Sequence, residues 1–255
     1  MRFALKTSCV AFCDVDDSLI TNSRTAPCSQ SEPCAVDDKG KVCGYITPRQ
    51  KALNKLLSQG AVIVPTTARS SKGLAAVQFA FPLSYSIVSF GGLILCPDGE
   101  PEPRFYAMIK EGADRYKSVL EDLLALVQRQ AESRGICLRS RVVVDCELPL
   151  YLSVKHNDKS KPGYKEELAL IRDLVADFVS AQAPDFAIHL NGNFLAVLPP
   201  FLRKEYAVRW FIENITPGVM SIGFGDSVTD LDFAGECDYV LMPSVSQAFA
   251  HLTAA

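Results

Sequence analysis

Three stretches of the 255-residue chain set carboxylates or hydroxyls directly after an apolar run. Asp14, Asp16, Asp17 and Ser18 follow Phe3 to Cys13, Thr66 and Thr67 follow Ala61 to Pro65, and Asp226 and Asp230 follow Val219 to Phe224. If the runs are parallel strands of one α/β sheet, their carboxyl ends share an edge, and that edge is where such sheets bind ligands. Several carboxylates then converge. Two like charges ~4 Å apart at an effective dielectric near 20 repel by about 4 kcal/mol, so the cluster must protonate, separate or recruit a cation. All-oxygen ligation by aspartate suits Mg²⁺, which binds through one or two carboxylates plus a substrate phosphate. A metal-phosphate site also needs a hydroxyl and a cation for the phosphate oxygens. Lys204, in LPPFLRKEYAVRWF, is the cation candidate: in a first helical turn it faces the unfavourable end of the dipole, which hints at a compensating anion. Each feature alone has a plainer reading, the aspartates as helix caps and the lysine as a solvated side chain. The combination is what points to chemistry.

Periodicity indicates the elements that would hold these residues. The first apolar run reads as a buried strand that ends abruptly in acid. Residues 21 to 46, rich in Ser, Pro, Cys, Asp and Gly, are a long polar excursion of the kind that forms functional flaps or mobile loops. Thr47-Pro48-Arg49-Gln50 is a capping box with Pro at the first helical position; Ala52, Leu53, Leu56 and Leu57 form the expected apolar face, and Gly60 the stop. Ala61 to Pro65 then predicts a strand, Ser71 to Phe81 a helix and Ser86 to Phe90 a third strand. From about residue 101 the rhythm changes. A strand-like FYAMI precedes a helix from about Gly112 to Ser133, strands near Val142 to Val144 and Tyr151 to Val154, a helix near Tyr164 to Ser180, and a hairpin around Asn191-Gly192. Alternation resumes with a strand Phe194 to Leu198, a helix from about Arg203 to Asn214, and strands Val219 to Phe224 and Tyr239 to Leu241. The expectation is an α/β protein with a Rossmann-like parallel-sheet core, residues 1–100 and 190–255, interrupted by an inserted α+β domain, residues 101–189.

Composition narrows the partners. A net charge of -3 with scattered Lys and Arg lacks the footprint of nucleic-acid binding, and no apolar run approaches the ~20 residues that span a bilayer. The nine cysteines show no CxxC spacing, which suggests reduced thiols in a cytoplasmic protein. Cys28, Cys34 and Cys43 share the polar excursion, but no His lies near them to complete a common metal-ligand pattern. A monomer or small homo-oligomer is expected.

The string FCDVDDSL resembles the DxDx(T/S) signature of the haloacid dehalogenase superfamily. VIVPTTAR is similar to the second motif of that superfamily, LPPFLRKEYAV to the third and GFGDSVTDLDF to the fourth, GDxxxD, all in the proper order. The module between the second and third motifs resembles a C2-type cap, as in sucrose-phosphate, trehalose-phosphate and Cof-like sugar phosphatases. SIVSFGGLILCPDGE also resembles the segment before the cap in Cof-like members. Phe90 stands where family members often have Asn, and the 21–46 stretch is longer than usual.

The resemblance implies a Mg²⁺-dependent phosphomonoester hydrolase for a small phosphorylated metabolite, a sugar phosphate above all. It makes Asp14 the nucleophile and Asp16 the general acid and base. Ser18, Thr67, Ala68, Arg69 and Lys204 would bind the substrate. Asp14, the Asp16 backbone carbonyl and Asp226 would hold the metal, with Asp230 in its outer shell or orienting Lys204. The cap would close over the site and read the leaving group, with Arg139, Arg141, Lys155, His156, Asn157, His189 and Asn193 as candidates. A phosphomutase shares the aspartyl-phosphate and differs in returning the phosphate to another hydroxyl. A receiver-type phosphoacceptor shares an acidic Mg²⁺ pocket but is about half this length and carries no cap.

Overall fold

Strand β1 (Cys9–Cys13) is buried at every position, as a strand must be when helices or neighbouring segments cover both faces of its sheet. It lies inside a computed structural model that describes residues 5–22, 28–37 and 39–254. The polar excursion that follows is not an open loop: β2 (Thr21–Asn22), β3 (Glu32–Val36) and β4 (Val42–Ile46) form a small antiparallel sheet in the order β2-β4-β3. Residues 23–27 and 38 of that excursion fall outside the described residues. Next come α1 (Pro48–Gly60), β5 (Val62–Pro65), the short α2 (Ser71–Ala75), β6 (Ser86–Val88), a single 3-10 turn over Ser89–Gly91, and β7 (Leu93–Leu95).

Helix α1 begins as expected. Thr47 accepts from the Gln50 amide, and Gln50 answers through its own side chain. Its inward face, however, is not the expected one. Leu56 is 66% exposed, and the fully buried position is Asn54. The cap fixes the helix phase so that Gln50, Leu53, Asn54 and Leu57 share the inner stripe, with polar groups inside that need partners. Helix α2 stops at Ala75 and does not continue to Phe81, because the chain turns to pair with the small sheet: Gln78 N donates to the Cys34 carbonyl (2.7 Å), and Val77 bridges Ala35.

The long helix α3 (Pro103–Ser133) takes in the FYAMI segment that alternation suggests is a strand. Glu102 is the reason. Its side chain accepts from the Phe105 amide at 2.8 Å, and Pro103 supplies a preset first φ. Then follow β8 (Leu138–Asp145), β9 (Leu148–His156), α4 (Tyr164–Gln182), β10 (Ala187–Asn191) and β11 (Phe194–Leu198). The strand Phe194–Leu198, which the alternation assigns to the resumed core, pairs instead with β9 and β10 in an antiparallel sheet of order β10-β11-β9-β8. The chain closes with α5 (Lys204–Asn214), β12 (Met220–Phe224), α6 (Asp230–Ala234), β13 (Tyr239–Leu241) and α7 (Gln247–Thr253).

Two compact units result, Met1–Tyr106 with Arg203–Ala255 and Ala107–Leu202. The first is built on a four-stranded parallel sheet, β13-β12-β1-β5, with Cys13 in register with Phe224 on one side and Pro65 on the other. Phe12 and Tyr85 each meet the Phe211 ring edge-on, with centroids 5.2 Å apart. The expected third parallel strand is shorter: β6 touches the β5 edge only through the Thr66–Ile87 bridge and otherwise pairs antiparallel with β7. In the second unit, α3 and α4 cover the sheet with Leu120, Leu123, Val127, Leu168, Ile171 and Val175. No helix among the described residues is long and apolar enough to cross a membrane.

Candidate active site

Register brings the acidic segments together. The Asp14 amide donates to the Phe224 carbonyl (2.7 Å) and the Thr66 amide to the Cys13 carbonyl (2.7 Å), so the three strands end side by side. From there Asp14 meets Lys204, whose Nζ donates to Asp14 Oδ1 at 2.7 Å and to Asp230 Oδ1 at 2.8 Å. Lys204 opens α5 with no side-chain cap at that terminus, and its ammonium lies 5.3 Å from the centroid of the Phe233 ring. All three charged groups are nearly closed to solvent.

Two carboxylates therefore face one ammonium, and the proton balance follows. Burial works against the Lys204 charge, but Asp14 and Asp230 more than compensate and hold it above its ordinary value. Burial likewise pushes Asp230 up, yet Lys204 and Ser227, which donates to Oδ2 from its amide (3.1 Å) and hydroxyl (2.7 Å), hold it below the usual carboxylate range. Asp14 is left well above that range, by burial first, with Lys204 opposing and Asp230 and Asp16 adding to the rise. Asp226 is pushed up to about 6 by burial, then by Asp230 and Asp17, although Ser18 Oγ donates to its Oδ1 at 3.3 Å. A second positive charge is what such a set lacks.

One oxygen from each of Asp14, Asp226 and Asp230 lies within 4.8 Å of the others, the one cluster of potential metal ligands among the described residues. An all-carboxylate donor set beside a buried hydroxyl fits a hard divalent cation such as Mg²⁺. The Asp16 side chain is not part of it. Its two oxygens take a bidentate pair from Arg69, Nε to Oδ2 and Nη2 to Oδ1, both at 2.7 Å. Arg69, expected on the substrate, is thus committed to Asp16. Asp17 has a left-handed φ of 66° and turns outward, accepting from the Asn22 amide at 3.0 Å.

Thr67 is buried, and its Oγ1 accepts from the Arg69 amide at 3.1 Å, which leaves the hydroxyl proton free to donate. Ala68 beside it is half-buried. The 3-10 turn clamps this loop: Ser89 N donates to the Arg69 carbonyl (2.7 Å) and Phe90 N to the Thr67 carbonyl (3.1 Å). Ser89, Phe90 and Gly91 all have positive φ, and a Cβ on Gly91 would stand 2.2 Å from the Arg203 carbonyl oxygen. Gly91 thereby lets the start of α5, and with it Lys204, approach the Thr67 loop. Phe90 occupies a conformation, φ 59°, that Asn tolerates better than a bulky ring. Gly225 has the same use, since a Cβ there would lie 2.3 Å from Asp230 Cβ. Periodicity gives no sign of Ser227 or Gly91; Gly225 stands in the sequence as the glycine of the GDxxxD-like stretch, beside Asp226.

Two cap candidates are internal. The His156 side chain is fully buried, with Nε2 on Glu167 (2.8 Å) and Nδ1 accepting from the Asp158 amide (3.0 Å). Asn193 pairs with both the backbone amide and carbonyl of His156 (2.9 Å each). They organise the second unit from within.

This arrangement of sheets is similar to that of solved phosphatase structures. No family model and no curated protein matches the chain. Among solved structures it is similar to the sucrose-phosphatase of Synechocystis sp. PCC6803 in complex with sucrose and phosphate, at 12% identity and a TM-score of 0.55, over 97% of this chain and 96% of that one. The C-terminal domain of C. albicans trehalose-6-phosphate phosphatase aligns at 12% identity and a TM-score of 0.57, over 90% of this chain and 73% of that one. Plasmodium falciparum IMP-nucleotidase aligns at 10% identity and 0.59, over 96% and 66%. At these identities the likeness establishes the fold.

Proposed function

We propose that this protein is a Mg²⁺-dependent phosphomonoester hydrolase that transfers the phosphoryl group of a small phosphorylated metabolite to Asp14 and then to water. The observation that carries the reading is the meeting of Asp14, Asp226 and Asp230 around one point, with Lys204 bonded to two of them. A bound Mg²⁺ would neutralise phosphoryl oxygens and keep Asp14 ionised, and Asp14, Asp226 and Asp230 are the side chains that would hold it. Asp14 then attacks phosphorus, splitting one hard displacement into two easier ones. Lys204 holds the transferring oxygens from one side, and the Thr67 hydroxyl donates to them. Ser18 fixes the orientation of Asp226.

Asp16 protonates the departing alcohol and later takes the proton of the attacking water. Because Arg69 occupies both of its oxygens, the acid step requires one of those bonds to open. That places Arg69 as the residue that aims Asp16. The sugar phosphate class is favoured by the fold likeness to the sucrose- and trehalose-phosphate enzymes, and release of inorganic phosphate separates hydrolysis from mutase chemistry. The nine cysteines, none in a disulfide among the described residues, accord with a reducing, cytoplasmic setting.

The test is a Mg²⁺-supplemented phosphate-release screen over sugar, polyol, nucleotide and glycerate monophosphates, run beside Asp14→Asn. The variant should fold and lose turnover by at least about a thousandfold, as expected for removal of a covalent nucleophile. Near-normal phosphate release by Asp14→Asn would end the proposal.

A further inference from the structure

The turn from Asp14 to Ile20 carries the proposed nucleophile, the proposed acid and Ser18, and it has little regular structure of its own. Its internal bonds are Leu19 N to the Asp14 carbonyl (3.3 Å) and Ile20 N to the Val15 carbonyl (3.0 Å). The carbonyls of Ser18 and Leu19 point the other way and meet two amide side chains of α1. Gln50 Nε2 donates to the Ser18 carbonyl at 3.2 Å, and Asn54 Nδ2 to the Leu19 carbonyl at 3.1 Å. Gln50 and Asn54 stand one turn apart, on the stripe that the Thr47 cap turns inward. Gln50 Oε1 also accepts from the Thr47 amide and from Thr21 Oγ1, both at 3.0 Å, which joins the helix cap to the chain leaving the turn.

Asn54 is an unusual choice for this position. It is 1% exposed, and its Oδ1 has no hydrogen-bond partner among the described residues. A leucine would fit the helix period and bring no buried carbonyl of its own, although it would leave the Leu19 carbonyl without this donor. A locally unfavourable residue is the mark of a position used for something other than packing.

We infer that Gln50 and Asn54 are positioning residues: together they fix the backbone of the Asp14–Ile20 turn, and through it the placement of Asp14, Asp16 and the Ser18 hydroxyl on Asp226. The catalytic part of this inference rests on the hydrolase reading above; the structural part does not. Among the described residues no other element bonds both carbonyls of the turn, so releasing either donor lets the reacting carboxylates drift, and small displacements of reacting groups are costly.

Two variants test it on the full chain. Gln50→Glu keeps an acceptor for the Thr47 amide and replaces the donor to Ser18 with a carboxylate oxygen, which adds one negative charge at the same place. Asn54→Leu removes the donor to Leu19 together with the unpaired Oδ1, so relief at Oδ1 offsets part of the cost of leaving the Leu19 carbonyl without this donor. In both, amide hydrogen exchange at Leu19 and Ile20 should quicken by at least about tenfold. With p-nitrophenyl phosphate and Mg²⁺, kcat should fall by about tenfold or more while KM stays within about twofold, the split expected when reacting groups are misplaced and binding is intact. Lys51→Ala, which removes the exposed ion pair of α1 with Glu32 and touches neither carbonyl nor the helix cap, should leave exchange and kcat alone. Unchanged exchange in both variants overturns the inference, as does faster exchange with an unchanged kcat. If the unaltered chain releases no phosphate from this probe, the hydrolase reading fails, and the exchange rates still decide whether the clamp exists.

Discussion

Replacing Lys204 with methionine should make the stability of this protein depend on pH in a way that the unaltered chain does not. In the structure a single ammonium serves Asp14 and Asp230 at 2.7 and 2.8 Å, and the side chain of Asp230 is 3% exposed. Asp230 lies below the ordinary carboxylate range because of Lys204 and Ser227, so it contributes stability above its unfolded pKa. Lys204→Met leaves that carboxylate buried beside Asp14, and the folded state then keeps it protonated. Its folded pKa is now raised, so stability falls as pH rises above the unfolded value. With an unfolded pKa near 3.9 and 1.36 kcal/mol per unit, holding one carboxyl neutral costs about 1.5 kcal/mol at pH 5 and about 4 kcal/mol at pH 7. The second figure agrees with the roughly 3–5 kcal/mol typical of breaking a buried ion pair by removing one partner. Equilibrium urea unfolding in chelator, at pH 5, 6 and 7, measures the difference between the two chains. It should widen by about 1.4 kcal/mol per pH unit. A difference that stays flat across this range, or stays under about 1 kcal/mol at pH 7, would refute the charge balance drawn for the site.

Other outcomes follow from the same geometry. Asp226, raised to about 6, makes the folded state bind a proton that the unfolded chain has lost, so in chelator its contribution to stability declines between about pH 4 and pH 6. Mg²⁺ should therefore raise the melting temperature more at pH 7.5 than at pH 5, and equal shifts would count against Asp226 as a ligand. Chelation should stop phosphate release, with Ca²⁺ a poor substitute because it tolerates looser coordination. Arg69→Met should lower kcat by about tenfold to a hundredfold, since Asp16 loses its guanidinium pair and keeps the longer bond from Asn22 Nδ2; an unaltered kcat would remove Arg69 from the mechanism. Gly225→Ala places a methyl 2.3 Å from Asp230 Cβ, and the chain should lose about 2 kcal/mol or more in urea unfolding together with its activity.

The parts of the fold legible in the sequence are those where one physical signal dominates. The run ending in Cys13, the Thr47 capping box and the strand ending in Phe224 each combine a strong apolar or capping pattern with an abrupt stop, and each stop falls where expected, although β1 begins only at Cys9 and the Phe3 end of the expected run lies outside the described residues. Misreadings arise where tertiary contacts decide. Leu56 looks like part of the inner face with Leu53 and Leu57, but the cap sets a phase that leaves it exposed and turns Asn54 inward. The FYAMI stretch has alternating apolar residues, yet the bond from Glu102 to the Phe105 amide starts a helix ahead of it. The α2 region is cut short by pairing with a sheet whose strands are too irregular to see in a Ser-, Pro- and Cys-rich stretch. Around the site, the sequence puts Asp14, Asp226, Asp230 and Lys204 forward, and the structure brings those four together. What it gives no hint of is the bidentate hold of Arg69 on Asp16, which depends on two loops meeting across 53 positions of chain. Ser227 and Gly91 are equally silent, because a hydroxyl or a glycine says nothing until its neighbour is known.

The place of β1 in the core sheet has a consequence for how the chain is made. Its partner on one side, β5, emerges from the ribosome soon after it, but its other partner, β12, pairs Cys9 with Met220. The unit formed by residues 107–202 is contiguous and can collapse on its own while translation continues. Until the segment ending at Phe224 arrives, β1 exposes an unmatched row of peptide groups, so nascent chains truncated before that point should be the ones that need chaperone protection.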